Sequence, residues 1–352
     1  MINRCLVYTI AVGLASSACT QIGPPKDPVV TAVNVGSDAL FIGASAVDAN
    51  TAWFSGTGGT WALTTDGGET WTSGQVPGAD SLQFRDVHGL SPSTAYLLSA
   101  GTGSSSRIYK TVDGGTSWSL QWTNPEPGGF FDCFDFWDED AGLLYGDSID
   151  GRLMVVTTAN GGAQWDFIDA DRLPAALPGE GGFAASGTCV RTSGDSTAWI
   201  GTGAGSYPRV LRTTDRGKSW TVADVDLPSG NAAGIFSISF RDPLNGIAVG
   251  GDLQLPKDHT SNVAITNDGG RTWTPGGRPI TAGVLYGSSF VPGTRTPTIV
   301  VVGPSGADLS RDNGMTWTQL DSLNYWTAAF HSAESGWIAG TDGKIKKVSV
   351  GR

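Results

Sequence analysis

One eight-residue pattern occurs six times in the chain, five times in full and once with Asn160 and Gln164 in place of its Asp and second hydroxyl residue: Ser or Thr, any residue, Asp, any residue, Gly, any residue, Ser or Thr, Trp. The copies are 64–71, 111–118, 158–165, 213–220, 266–273 and 310–317. Their third positions are Asp66, Asp113, Asn160, Asp215, Asp268 and Asp312, and each copy ends on Trp71, Trp118, Trp165, Trp220, Trp273 or Trp317. A tight turn explains the pattern. A carboxylate just past the end of a strand accepts nearby backbone N–H groups and holds the reversal. Glycine supplies the positive φ that a Cβ resists. Trp is large enough to fill the space between two packed sheets. The chain is therefore read as a repeat architecture, with these Asp residues as turn-formers rather than catalysts or metal ligands.

A second recurring segment, an apolar strand that mostly ends in Gly, counts the units. It starts at Thr51, Thr94, Ala141, Thr197, Asn245, Pro297 and Ser335, at intervals of about 40–55 residues. That spacing suits four-stranded propeller blades: an inner strand, a second, a third, the eight-residue turn and an outer strand. With 51 Gly, 13 Trp and 16% charged residues in 352, the composition agrees with an all-β repeat. The fold expected is an all-β, seven-bladed β-propeller over residues 29–352. Its seventh blade has three strands and no turn of this kind. An open sheet edge invites aggregation, and propellers remove it by closing. Residues 29–35, a strand with no partner of its own, are expected to supply the missing outer strand.

Residues 1–18 read as an export signal, with one early charge at Arg4, an apolar run from Cys5 to Ala15, and the small residues Ser16-Ser17-Ala18 before Cys19. The run is too short to span a membrane as a helix. The segment resembles a bacterial lipoprotein signal, although Ser16 stands where that family prefers Leu. Lipidation at Cys19 is expected, with 19–28 as a tether. The mature protein is then placed on the periplasmic side of the envelope as an outer-membrane lipoprotein, or else free in the periplasm or secreted. Net charge is −11 and no Lys/Arg cluster appears, which speaks against nucleic acid or an anionic membrane surface as partner. Four Cys without a CxxC pair and three His support neither a metal site nor a cofactor.

The six turns resemble the Asp-box, or bacterial neuraminidase repeat. The mature chain is similar to seven-bladed Asp-box propellers related to the photosystem II assembly and stability factors and their non-photosynthetic bacterial relatives. The resemblance implies a monomeric, non-catalytic scaffold that binds an envelope protein or peptide outside the cytoplasm. The alternative is a glycan-binding or glycan-hydrolysing propeller. Sialidases share the box, but their early Phe/Tyr-Arg-Ile-Pro motif is absent, and nothing in the sequence makes Arg152, Arg191 and Arg241 converge as their arginine triad.

Chemistry is expected on loops around the central axis. The densest carboxylates lie in the third blade, at Asp132, Asp135, Asp147 and Asp150, with Arg152 beside them. A Gly-rich approach to the fourth blade carries Glu180 and Ser186, and Asp252 follows in the fifth. These residues are expected to line one axial face. The competing reading is that the acids cap turns or face water. Cys133 and Cys189 fall on adjacent inner strands, on faces that neighbouring blades turn toward each other, so a disulfide between them suits an exported protein. No Gly-x-Ser-x-Gly elbow exists, and His88, His259 and His331 sit in unrelated contexts.

Overall fold

The structure is a computed structural model that describes residues 27–255, 257 and 262–351. Residues 1–18, read above as an export signal, Cys19 and His259 lie outside the described residues. Val29–Val33 forms β1. Blade one is β2–β5 (Phe41–Ala46, Ala52–Gly56, Thr60–Thr64, Thr72–Gln75). Blade two is β6–β9 (Phe84–Gly89, Ala95–Ser99, Arg107–Thr111, Ser119–Thr123). Blade three is β10–β13 (Phe131–Phe136, Gly142–Ile149, Arg152–Thr158, Asp166–Phe167). Blade four is β14–β17 (Val190–Ser193, Thr197–Gly201, Arg209–Thr213, Thr221–Asp224). Blade five is β18–β21 (Ala233–Phe240, Gly246–Asp252, Val263–Thr266, Thr274–Pro275). Blade six is β22–β25 (Gly287–Phe290, Ile299–Gly303, Gly306–Ser310, Thr318–Asp321). Blade seven is β26–β28 (Tyr325–Phe330, Gly336–Gly340, Ile345–Ser349) with β1 as its outer strand, giving seven four-stranded antiparallel sheets.

Closure runs through five paired positions, from Val29 opposite Ser349 to Val33 opposite Ile345. The strand end then enters blade one: Val33 packs with Val35, Phe41, Phe54 and Ile345 in one cluster. First and last blades therefore share a core as well as a backbone ladder.

Each eight-residue turn is a small hydrogen-bond network. In the first, the Thr64 hydroxyl donates to Asp66 Oδ1 at 2.9 Å and accepts the Gly68 N–H at 2.8 Å. The Thr70 N–H donates to Oδ1 at 2.9 Å and its hydroxyl to Oδ2 at 2.5 Å. The same set recurs at Asp113, Asp215, Asp268 and Asp312. Asn160 keeps the Gln164 N–H but meets no hydroxyl there. The folded turn then presses on the preceding blade. A Cβ on Gly68 would strike the Trp337 ring, and one on Gly115 the Trp61 ring. Tyr96 Oη donates to the Gly161 carbonyl and Trp199 Nε1 to the Gly269 carbonyl, both across a blade boundary. The turn is thus an inter-blade joint.

Two predictions follow from these contacts. Deleting Val29–Val33 reopens the ring, and we expect Tm to fall by about 5–10 °C. An unchanged Tm removes the closure model. The second concerns acid. The Thr70 hydroxyl and N–H hold Asp66 at about 2. At Asp215 and Asp268 slight burial opposes the equivalent bonds, and both still lie at about 2. Folded pKa values below the unfolded ones mean stability present above the ordinary carboxylate range near 3.8 and lost as pH falls toward about 2. An Asp268→Asn variant should show a shallower loss of stability than wild type between pH 4 and pH 2 in urea titrations.

Candidate binding cleft

The ring has two ends. The inner strands finish at the end that carries the eight-residue turns, called here the turn end; they begin at the opposite, loop end. The long connection from β13 to β14 closes the channel between them. Its residues 184–189 touch the inner strands of five other blades. Arg85 Nη1 of blade two donates to the Ala184 carbonyl at 3.1 Å. Cys189 is joined to Cys133 of blade three by a disulfide, with Cα atoms 5.8 Å apart. Thr188 Oγ1 donates to Ser237 Oγ of blade five at 2.7 Å, Ser237 meets Ser288 of blade six at 2.8 Å, and Ser186 itself packs against Gly287 of that blade, where an added Cβ would lie 3.3 Å from the Ser186 Cβ. Thr327 of blade seven bonds the Ser186 carbonyl at 3.3 Å. Only a segment lying on the axis can reach all of these. Gly187 packs so close to the Asp86 carboxylate of blade two that a Cβ has no room.

Above this plug, at the turn end, two adjoining cavities of about 140 and 270 Å³ share Asp135, Arg191, Ser289 and Phe330. The inner one reaches Asp86, His88 and Thr188. The outer one reaches Arg241, Phe240, Phe290 and Pro292. Asp135 Oδ1 sits 2.9 Å from His88 Nδ1, and its Oδ2 accepts the Thr192 N–H at 2.9 Å. Arg191 Nη1 stands 3.9 Å from the same carboxylate. The His88 ring lies on Phe136 at 5.1 Å, and no described residue takes its Nε2. Burial works to raise Asp135, but the His88 hydrogen bond and charge and the Arg191 charge keep it below the usual carboxylate range. Asp86 goes the other way. Burial lifts it well above that range, the Asp135 charge adds to the rise, and the Phe134 N–H offsets only part of it. The cleft therefore offers one carboxyl that burial pushes up, one that its partners hold down, an imidazole held by Asp135 and two guanidinium groups against phenyl walls.

Of the residues expected to line one axial face, only Asp135 reaches this cleft. The other acids lie at the loop end, and most are engaged there. Glu180 is buried and accepts four hydrogen bonds, from Arg209 Nε and Nη2 at 2.6 and 2.5 Å, Thr202 Oγ1 at 2.8 Å and the Leu177 N–H at 2.9 Å. Asp147 accepts the Gly182 N–H at 3.0 Å. Asp132 is 2% exposed, with Oδ2 unpartnered, and burial beside Asp147 pushes it well up. Asp150 turns the chain between β11 and β12 at φ 51°, and Asp252 accepts the Gln254 N–H. The buried Ser186 hydroxyl meets that of Thr188 inside the plug. Of the three arginines considered as a triad, Arg191 and Arg241 share the outer cavity, and Arg152 lies in a separate cleft on blade three. Among the described residues no group of three or more His, Cys, Asp or Glu is placed to hold a metal.

His88, Asp86 and the two arginines were not foreseen as a site. A register signal exists for them. Ser45, His88, Asp135, Thr192, Ser239, Ser289 and Ala329 each pair with the second residue of their blade's second strand. Six of those seven equivalent positions are polar, so aligning the inner strands reveals a polar ring facing the axis.

Breaking the Glu180–Arg209 pair strands a buried carboxylate. Arg209→Met should cost about 3–5 kcal/mol in urea unfolding, whereas Asp150→Asn should stay within about 0.5 kcal/mol. Reducing the Cys133–Cys189 bond, which closes a separation of 56 residues, should cost about 4 kcal/mol on the chain-entropy account.

No family model matches the chain, and no curated protein matches it. Solved structures do. A structure described as YCF48 bound to D1 peptide matches with TM-score 0.62 at 18% identity, over 91% of this chain and 96% of that one. YCF48 from Cyanidioschyzon merolae matches with TM-score 0.63 at 17% identity, over 91% and 98%. Virginiamycin B lyase from Staphylococcus aureus matches with TM-score 0.64 at 12% identity, over 92% and 99%. At these identities the likeness is one of fold: proteins with unrelated activities share the ring, and what distinguishes this chain is the chemistry at its axis.

Proposed function

We propose that this chain is an exported, non-catalytic propeller that binds a protein or peptide, with the turn-end cleft as its docking site and Asp-box repeats as its joints. The observation that carries the reading is the cleft itself. Arg191, Arg241, Ser289 and the free Nε2 of His88 present hydrogen-bonding groups beside Phe240, Phe290 and Phe330, on strands held rigid by a closed ring. Two further observations support it. One structural neighbour is described as YCF48 bound to a peptide. The Cys133–Cys189 disulfide suits a compartment outside the reducing cytoplasm. Lipidation of Cys19 is part of the same proposal: Cys19→Ser should move the protein from the membrane fraction to the soluble one.

A glycan-directed second reading rests on Asp86 and Asp135, two carboxyls in one cleft whose environments push them in opposite directions. One experiment separates the two. Binding to a peptide array and turnover of chromogenic glycosides are measured on wild type, on Arg191→Ala/Arg241→Ala and on Asp86→Asn. The scaffold reading expects peptide affinity to fall at least about tenfold in the arginine double variant, to weaken with salt, and no glycoside to be cleaved. Glycoside turnover that disappears in Asp86→Asn establishes the second reading instead.

A further inference from the structure

At the loop end, four inner strands each carry a bulge close to where they begin, and the bulged residues are Arg85, Asp132, Phe236 and Trp326. A bulge re-aims the extra side chain, and here three of the four meet the plug. Arg85 Nη1 donates to the Ala184 carbonyl at 3.1 Å. Asp132 lies so close to Gly182 that a Cβ there has no room. Phe236 takes the Phe183 ring face to face, with centroids 3.9 Å apart and planes 9° apart. From Phe236 the aromatic side of this rim continues to Tyr286 of blade six at 6.0 Å, and from there to Trp326 of blade seven at 4.7 Å. Phe236 is buried, while Phe183, Tyr286 and Trp326 stay partly exposed.

The other side of the rim is acidic. Asp147 is partly exposed, and its Oδ1 accepts the Gly182 N–H at 3.0 Å, one residue from Phe183. Asp132 is 2% exposed with Oδ2 unpartnered, and Arg85 is the cation whose charge favours its ionised form. Asp147 has no such partner. Among the described residues none of the ion pairs includes it. Burial raises it, and only the Gly182 N–H opposes the rise. A carboxylate drawn partly out of water without a counter-charge favours a positive group, and so does the electron-rich face of an aromatic ring. Among the described residues no third His, Cys, Asp or Glu completes a metal site. The pairing of one acid with a row of rings suits a diffuse organic cation.

We propose that this mouth binds an alkylammonium group, with its charge between the Asp147 carboxylate and the Phe183 ring and its alkyl part on the aromatic side of the rim. A free small cation and the lysine side chain of a partner share this chemistry. The site lies at the opposite end of the channel from the turn-end cleft and does not depend on the function proposed for that cleft.

Proton NMR of choline titrated with the whole protein tests the proposal. Aromatic ring currents move protons held over a ring face upfield, so the choline methyl signal should shift upfield and saturate with a Kd of about 10 mM or tighter. Its uncharged isostere 3,3-dimethylbutan-1-ol, with carbon in place of nitrogen, should bind at least about fivefold more weakly. Asp147→Asn keeps an oxygen for the Gly182 N–H, and should weaken choline at least about fivefold while leaving the isostere unchanged. Phe183→Leu should weaken choline likewise. Asp150→Asn removes the same charge from the same end of the ring and should change neither ligand. Nα-acetyl-lysine methylamide in the same titration separates the two sources: binding tighter than choline assigns the mouth to a partner's lysine, and weaker binding assigns it to a free cation. The proposal is overturned if choline shows no saturable shift, or if the isostere binds as tightly. It is equally overturned if Asp147→Asn, with Tm unchanged, binds choline as wild type does.

Discussion

The structure depends on a carboxylate that gathers hydrogen bonds from within eight residues. In five of the six turns the Asp receives a hydroxyl from the preceding strand end and both the N–H and the hydroxyl of a Ser or Thr four residues on. Those bonds fold the turn, and a glycine of the folded turn comes against the blade before: on an aromatic ring at Gly68, Gly115, Gly162 and Gly270, and on isoleucine at Gly217 and Gly314. Trp71 lies edge-on to Trp337 at 5.4 Å, and the Tyr96 and Trp199 polar atoms are satisfied by turn carbonyls of the next blade. Blade-to-blade contact is therefore set by a local turn. The turn at Asn160 keeps its geometry with a neutral amide, so it contributes no carboxylate titration.

Around the axis the constraint is different. Seven inner strands leave a channel, and this chain fills it with its own connection between blades three and four. The filling is anchored at both ends by interactions too strong to be incidental: a bidentate buried ion pair at Glu180 and a disulfide at Cys189. Between the anchors a line of hydroxyls, Ser186, Thr188, Ser237 and Ser288, satisfies one another and so can be buried. The plug separates the charges of the axis into two sets. Engaged acids cluster at the loop end, while the turn end keeps a mixed, partly open group around Asp135. Separation also explains why carboxyls so near in sequence behave so differently. Asp132 and Asp135 sit on one six-residue strand, yet the first meets Asp147 and no hydrogen-bond donor to its Oδ2, and the second meets His88, Arg191 and the Thr192 N–H.

The sequence by itself determined the ring. Six turn signatures, seven spaced strands and one spare strand at 29–35 state the blade number, the strand order and the mode of closure, because each of these is a local or periodic property written in consecutive residues. It also carried the pairing of Cys133 with Cys189, since register in adjacent inner strands follows from aligning the second strands. The candidate site was beyond such reading. A count of carboxylates drew attention to Asp132–Asp150 and Glu180, but counting ignores which end of a strand a residue occupies and what lies across the axis. Arg209, 29 residues after Glu180, neutralises it only because the plug folds back across the loop end of its own blade. His88 and Asp135 meet only because equivalent positions of neighbouring blades face each other at the centre. Tertiary structure decided the site because the axis is where residues from every blade converge, and no local stretch of the chain contains that neighbourhood.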